Sequence, residues 1–194
     1  TYQNNGQDIV SAPYSFEGDS SFSDAELLRI RYIWQRVVED YAPFEVDVTT
    51  EDPGVDALIR SSASDQNYGV RVVISPTSDW YPGAGGVAYV GSFTWNTDTP
   101  CFVFSGNLGN GHEKYTAEAT AHEVGHTLGL YHDGATPNTE YYQGHGSGET
   151  GWAPIMGVGY YQNLVQWSKG EYANANNQED DIAIIQAHGP AYIG

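Results

Sequence analysis

The sequence is poor in basic residues and has no long apolar run. Seven lysine and arginine residues stand against 25 aspartate and glutamate residues, which gives a net charge of −18. An acidic surface of this kind repels phosphate backbones, so we expect no nucleic-acid partner. No apolar run approaches the ~20 residues that a membrane span needs, and we therefore expect no membrane-spanning segment.

The same acidity attracts cations, which makes calcium a candidate ligand, while solubility in salty surroundings explains the charge equally well. The acidic residues are scattered along the chain and do not gather into one D-x-D-x-D loop. A calcium ion is thus compatible with the sequence, but no calcium site can be assigned to particular residues.

Cysteine is nearly absent. The single Cys101 excludes an internal disulfide, and its apolar neighbours at 102–104 predict a buried strand residue rather than a nucleophile. Secreted proteins often carry disulfides, so this absence weakens an extracellular assignment without reversing it. Residues 1–7 have neither a basic start nor an apolar core, and we expect a mature, processed chain without a signal peptide.

The length of 194 residues fits one domain, built as two lobes around a cleft. Ser23 and Glu26 form a capping box that predicts a helix over 24–40, which Pro43 ends. A second helix is predicted at about 114–130. A third is predicted to start within the capping segment 176–182 and to run to about His188. Strands are predicted at 44–48, 70–75, 87–93 and 101–104, whereas residues 1–22 and 133–160 are expected to be irregular. Strands clustered between helices indicate an α+β fold with a mixed sheet.

The segment from His122 to Asp133 carries the chemistry. His122 and His126 are four residues apart, so on a helix they face the same way and can chelate one ion. Gly129 allows the backbone to leave the helix, and that exit brings His132 back as a third ligand. Imidazole nitrogens suit zinc, and three protein ligands leave a position for water, as in catalytic sites. Glu123 lies next to the metal without binding it and is the candidate general base.

Three alternatives can be weighed against this reading. Two satisfied surface histidines on a helix would leave Gly129, His132 and Glu123 unexplained. A gluzincin-type peptidase would take a distant glutamate as its third ligand, which Gly129 and His132 argue against. A non-catalytic binding module on a protease-like fold would not require Glu123 to accompany all three histidines.

The segment resembles the metzincin signature H-E-x-x-H-x-x-G-x-x-H at every fixed position. The resemblance implies a zinc endopeptidase acting on proteins or peptides, with Glu123 activating water. It implies a twisted mixed sheet and an active-site helix in an upper lobe (about 1–132), and an irregular lower lobe (about 133–194) that ends in a helix. It also places Met156 in a tight turn beneath the zinc, the Met-turn.

The resemblance covers about residues 23–190 and combines features of several branches. Asp133 after the third histidine is similar to the adamalysin or reprolysin pattern, and residues 179–186 resemble the last helix of matrixins. Residues 34–51 and 152–157 resemble secreted bacterial metzincin-like proteases. We accordingly expect a secreted, extracellular, monomeric bacterial enzyme, in which Asp133 supports the turn that follows the zinc ligands.

The resemblance also implies positions that contact the substrate. The strand at Val87, Ala88 and Tyr89 is expected to be the edge along which substrate binds, and residues 157–162 to form a pocket wall. Astacins and serralysins place a tyrosine two residues after the Met-turn methionine, where this chain has Val158. Tyr160 is the candidate to stabilise the transition state in its place. The remaining histidines, at positions 112, 145 and 188, are expected to be solvated.

Overall fold

The computed structural model describes residues 2–18 and 21–194, which form a mixed α+β fold, as predicted. The helices are α1 (Asp24–Tyr41), α2 (Glu113–Thr127) and α3 (Asp181–Ala187). The strands are β1 (Gln3–Asn4), β2 (Gln7–Asp8), β3 (Val72–Ser75), β4 (Gly86–Val87), β5 (Cys101–Phe104), β6 (Trp152–Pro154) and β7 (Leu164–Gln166).

The N-terminus of α1 confirms the predicted capping box. Ser23 accepts a hydrogen bond at its side chain from the Glu26 backbone, and the Glu26 carboxylate accepts one from the Ser23 backbone N–H at 2.9 Å. The two bonds satisfy donors that a helix start otherwise leaves unpaired. α1 therefore begins where the sequence places it.

The largest sheet has the order β3-β5-β4 and is mixed. β3 runs parallel to β5, whereas β4 runs antiparallel to it, and β4 forms the edge of the sheet. Every residue of β5 is buried. Cys101 begins this strand with 0% exposure, so the prediction of a buried strand cysteine is confirmed.

Two small sheets lie where the sequence predicts no strand: β1, β2 and β6 fall in the segments 1–22 and 133–160 that are predicted to be irregular, and β7 follows in a segment with no predicted element. β1 and β2 form an antiparallel hairpin whose turn is Asn5-Gly6, and both turn residues have positive φ (51° and 77°). Asn-Gly favours a two-residue hairpin turn, but the paired residues of β1 and β2 are polar, so no apolar alternation marks the two strands in the sequence. β6 and β7 pair in parallel within the lower part of the chain.

Two strand predictions are wrong. Residues 44–48 form no strand; Phe44 makes only an isolated bridge to Tyr192, and Val46 is exposed. The strand predicted at 87–93 is limited to Gly86–Val87, because the backbone turns at Gly91 (φ 77°), whose N–H donates to His126 O at 2.9 Å. An alternating pattern thus does not produce a strand where no neighbouring strand is available.

The main hydrophobic core extends from α1 through α2 to α3. Tyr41 of α1 donates its hydroxyl to Ala121 O of α2 at 2.9 Å, in a buried contact. Met156 and Ile185, which lie in the predicted lower lobe, belong to the same buried cluster as Val37 of α1. The core therefore crosses the boundary between the predicted lobes. Among the described helices, none is both long and apolar enough to cross a membrane.

Candidate metal centre

Three histidines converge at the C-terminal end of α2. His122 and His126 lie one helical turn apart on α2, and the chain then turns at Gly129 (φ 100°) and returns with His132. One ligand nitrogen from each ring lies within 4.8 Å of the others, and among the described residues no other group of three potential ligand side chains comes this close together. The structure thus brings together the three histidines that the sequence spacing predicts to be metal ligands.

The partners of the three rings define their protonation. The Nδ1 atom of His122 lies 3.0 Å from Ile155 O, that of His126 lies 2.8 Å from Leu130 O, and that of His132 lies 3.1 Å from Glu140 Oε1. Carbonyl and carboxylate oxygens only accept hydrogen bonds, so each Nδ1 carries the proton. Each Nε2 consequently presents a lone pair.

These lone pairs fit a bound cation. The Nε2 atoms of His126 and His132 are 3.0 Å apart. Two nitrogen lone pairs at this distance repel each other unless a proton or a metal cation lies between them, and in the neutral rings the proton is already on Nδ1. The donor set of three neutral imidazoles is one that zinc prefers. His122, His126 and His132 are therefore suited to hold a zinc ion.

Burial keeps the imidazoles neutral. It lowers the pKa of His122 to about 3, with smaller contributions from His126 and His132, and it also lowers the pKa of both of these residues. Only the neutral ring can bind a metal, so none of the three has to lose a proton near neutral pH before coordination.

Glu123 lies beside this cluster, 7% exposed, with its carboxylate against the edge strand. A Cβ at Gly86 of β4 would lie 2.5 Å from Glu123 Oε1, so a larger residue there would displace this carboxylate from its position. Burial raises the pKa of Glu123 to about 8. A cation bound at the three histidines would favour the charged carboxylate and oppose this shift.

Met156 lies beneath α2 with 0% exposure. Gly157 N donates to Pro154 O at 3.1 Å, which closes a tight turn around the methionine. A Cβ at Gly125 of the motif would lie 2.5 Å from Met156 Sδ, so this glycine allows the sulfur to pack directly under the helix. Because Ile155 O also accepts from His122, the turn contacts the first histidine of the group.

Gly129 is required for two reasons. Its φ of 100° is in a region that other residues rarely adopt, and a Cβ there would lie 2.7 Å from His188 Cε1. His188 follows α3 and was expected to be solvated; it is instead half-buried against this turn. His112 and His145 are exposed, as predicted.

Asp133 supports the turn through its backbone. Its N–H donates to Met156 O at 2.8 Å, and its carbonyl accepts from Tyr142 N at 2.7 Å. Its carboxyl group is buried, and Oδ2 has no hydrogen-bond partner among the described residues. Burial raises the pKa of Asp133 to about 7, and Glu179 adds to this shift.

Two tyrosines flank the centre. Tyr160 stacks on Tyr115 of α2 at 4.9 Å between ring centroids, and burial followed by the charge of Glu123 raises its pKa to about 12. Tyr141 lies closer to the ligands, with its ring centroid 4.4 Å from that of His132 and 6.0 Å from that of His122. The sequence predicts Tyr160 as a site residue but gives no indication of Tyr141.

The predicted substrate edge is only partly a strand. Val87 lies in β4, at the edge of the sheet, whereas Ala88 and Tyr89 follow it outside the strand. Tyr89 is 65% exposed. Sequence reasoning also missed Glu140 and Tyr141, which lie in an irregular segment where no residue spacing points to the histidines.

The metal centre lies within the part of the chain that matches a known family. The model of the Metallo-peptidase family M12B Reprolysin-like matches residues 39–133, from the end of α1 to the aspartate after the third histidine. No curated protein matches the chain. The family match and the three-histidine group together support a metzincin-like zinc metallopeptidase, a hydrolase whose family implies protein substrates.

Proposed function

We propose that this protein is an endopeptidase that hydrolyses internal peptide bonds of proteins, with zinc held by His122, His126 and His132 and with Glu123 as general base. One observation carries the proposal: three neutral imidazoles direct their Nε2 lone pairs to one point, beside a buried carboxylate. Each of these groups is needed for the reaction, and together they are hard to explain as structural residues.

The zinc site, Glu123 and Tyr160 have different roles in the proposed reaction. When bound, zinc activates a water molecule and polarises the scissile carbonyl. Glu123 accepts the proton of the attacking water and then delivers it to the leaving amine. The carboxylate lies closely packed against Gly86 of β4. Tyr160 donates its hydroxyl to the oxygen on which negative charge develops.

We further propose that the substrate binds as an extended strand along the free edge of β4, at and beyond Val87. Residues 157–162 would form one wall of the adjoining pocket. Lys114 of α2 holds this wall, because its Nζ donates to Gly159 O at 2.8 Å and to Tyr160 O at 3.0 Å. The stacked rings of Tyr115 and Tyr160 make the wall aromatic.

Action outside the cell, after secretion by a bacterium, is the remaining part of the proposal. It rests on the resemblance of residues 34–51 and 152–157 to secreted bacterial metzincin-like proteases. Detection of the protein in the medium of its producing cells, and not inside them, is the measurement that decides this point.

The central experiment combines metal analysis with cleavage of a denatured protein. We expect one zinc per chain after dialysis, cleavage at internal bonds, loss of cleavage with a chelator, and recovery when zinc is restored. Zinc binding without any cleavage would instead indicate a binding module on a protease-like fold. Absence of bound zinc would refute the proposal.

A further inference from the structure

The third zinc ligand differs from the other two in how it is held. His122 and His126 donate from Nδ1 to backbone carbonyls, at 3.0 and 2.8 Å, so the fold itself supplies their partners. His132 donates to a side chain, Glu140 Oε1, at 3.1 Å. We infer that Glu140 is a positioning residue that keeps the proton of His132 on Nδ1 and directs its Nε2 towards the metal. The inference rests on the proposed zinc site.

His132 needs such a partner more than the other ligands do. It follows α2 and is not part of it, and its side chain is 30% exposed, whereas His122 is buried. A neutral imidazole carries one proton on either nitrogen, and the hydrogen bond at one nitrogen decides which. Without an acceptor at Nδ1, the proton of His132 can occupy Nε2 and block the nitrogen that binds zinc.

Tyr141 and Glu140 together fix the orientation of the His132 ring. The ring of Tyr141 packs on that of His132, with 4.4 Å between centroids, and restricts its rotation. The hydrogen bond to Glu140 then selects one of the remaining orientations. A carboxylate also raises the basicity of the ring that donates to it, which strengthens the bond from Nε2 to a metal.

Glu140 is expected to contribute little to the stability of the fold. Its side chain is 67% exposed, and exposed pairs of this kind add little to the free energy of unfolding. Substitution of Glu140 should therefore change metal binding while the fold stays intact. This separates a positioning role from a structural one.

The test uses Glu140→Ala, Glu140→Gln and a control, Glu149→Gln. Glu149 is an exposed acidic residue of the same irregular segment and is not among the partners of the three Nδ1 atoms, so its substitution removes the same charge without removing any of these hydrogen bonds. Zinc affinity is measured by competition with a chromophoric chelator. Nitrogen-15 NMR of the metal-free protein reports which nitrogen of His132 carries the proton.

We expect Glu140→Ala to weaken zinc binding by about 10-fold or more, the usual effect of removing a partner of a metal-bound histidine. Glu140→Gln should fall between Glu140→Ala and the wild type, because its amide oxygen still accepts a hydrogen bond but carries no charge. The His132 proton should move from Nδ1 towards Nε2 in Glu140→Ala. Glu149→Gln should bind zinc like the wild type.

The outcomes separate this inference from the proposed function. If the wild type binds no zinc, both fail. If the wild type binds zinc and Glu140→Ala binds it equally tightly, only the role of Glu140 is wrong. An equal loss in Glu149→Gln would show that the total negative charge governs affinity, and a wild-type His132 protonated on Nε2 would also overturn the inference.

Discussion

Glu123 and His126 lie on the same helix, and their substitution should separate chemistry from metal binding. Glu123→Gln keeps the size of the side chain and removes the base, so zinc should stay bound while hydrolysis falls by about 10²–10⁴-fold. His126→Ala removes a ligand and should lose both metal and activity. Metal analysis and peptide hydrolysis are measured on the same preparations. Cleavage by zinc-loaded Glu123→Gln at the wild-type rate would show that another group activates the water.

Substitution of Tyr160 tests whether its hydroxyl stabilises the transition state. If its hydroxyl stabilises the transition state, Tyr160→Phe should lower kcat by about 10-fold or more with little change in KM. The stacking on Tyr115, at 4.9 Å, needs only the ring and should survive in the variant.

Tyr141→Phe is the matched comparison, because Tyr141 packs on His132 and also presents a phenol near the centre. A fall in kcat in Tyr141→Phe alone would transfer the role to that residue. Unaltered kcat in both variants would mean that the enzyme works without a tyrosine partner, as Val158 at the usual tyrosine position would suggest.

The predictability of single residues depends on how far apart they are in the sequence. His122, Glu123 and His126 follow from helical periodicity, and His132 follows from the glycine that ends the helix. Glu140 lies only eight residues beyond His132, yet the intervening backbone has no period that reveals its contact. Gly86 of β4 lies against Glu123 of α2, and such contacts between distant elements appear only when the fold is known.

At the scale of whole elements, α1 has a partly buried aspartate, Asp40, near its C-terminus, where a negative charge is unfavourable. Asp40 lies in its last turn, where the helix dipole disfavours negative charge, and burial raises its pKa to about 7, with Glu118 as the next contributor. Arg36 opposes this shift. The folded protein therefore binds more protons than the unfolded chain between about pH 4 and pH 7, and the contribution of Asp40 to stability falls as pH rises through this range.

Asp40→Asn should remove the loss of stability that Asp40 causes as the pH rises. We expect the variant to melt at a higher temperature than the wild type at pH 8, with the difference shrinking towards pH 4. Trp167 donates to the backbone carbonyl of Asp40, at 2.8 Å, and the substitution leaves that bond in place. Glu39→Gln removes the same charge from an exposed neighbouring position and serves as the control. If the difference in melting temperature between Asp40→Asn and the wild type does not shrink at low pH, the raised pKa of Asp40 is not its cause.

Elements differ in how well the sequence predicts them. α1 carries its own signals, since Ser23 and Glu26 define its start and its apolar spacing defines its buried face. The strand predicted at 87–93 had suitable residues, but the Gly91 N–H binds His126 O and ends it early. Strand formation depends on a partner elsewhere in the chain, which local patterns do not contain.

At the scale of the whole molecule, the metal centre is connected to the main hydrophobic core through the turn at Met156. His122 of α2 donates to Ile155 O, and Asp133 donates to Met156 O, so the ligand segment and the Met-turn are hydrogen-bonded to each other. Met156 belongs to the core cluster that reaches α1 and α3. Occupation of the centre should consequently stabilise the entire fold and not only one loop.

The size of this effect follows from mass action. Zinc at 100 times its dissociation constant would add about 2.7 kcal/mol to the free energy of unfolding. For a chain of this length, that amounts to a rise of about 5–10 °C in Tm. We expect a chelator to lower the Tm by this amount, zinc to restore it, Glu123→Gln to show the same shift, and His126→Ala to show none.

The net charge of −18 requires one more control, because any divalent cation screens the repulsion between acidic residues. Magnesium and calcium prefer oxygen ligands and bind poorly to three imidazoles. At equal, low concentration they should leave the Tm of the metal-free protein unchanged, while zinc raises it. If either ion raises the Tm as much as zinc does, the stabilisation comes from the acidic surface as a whole. The three histidines would then not be the centre that couples metal to fold.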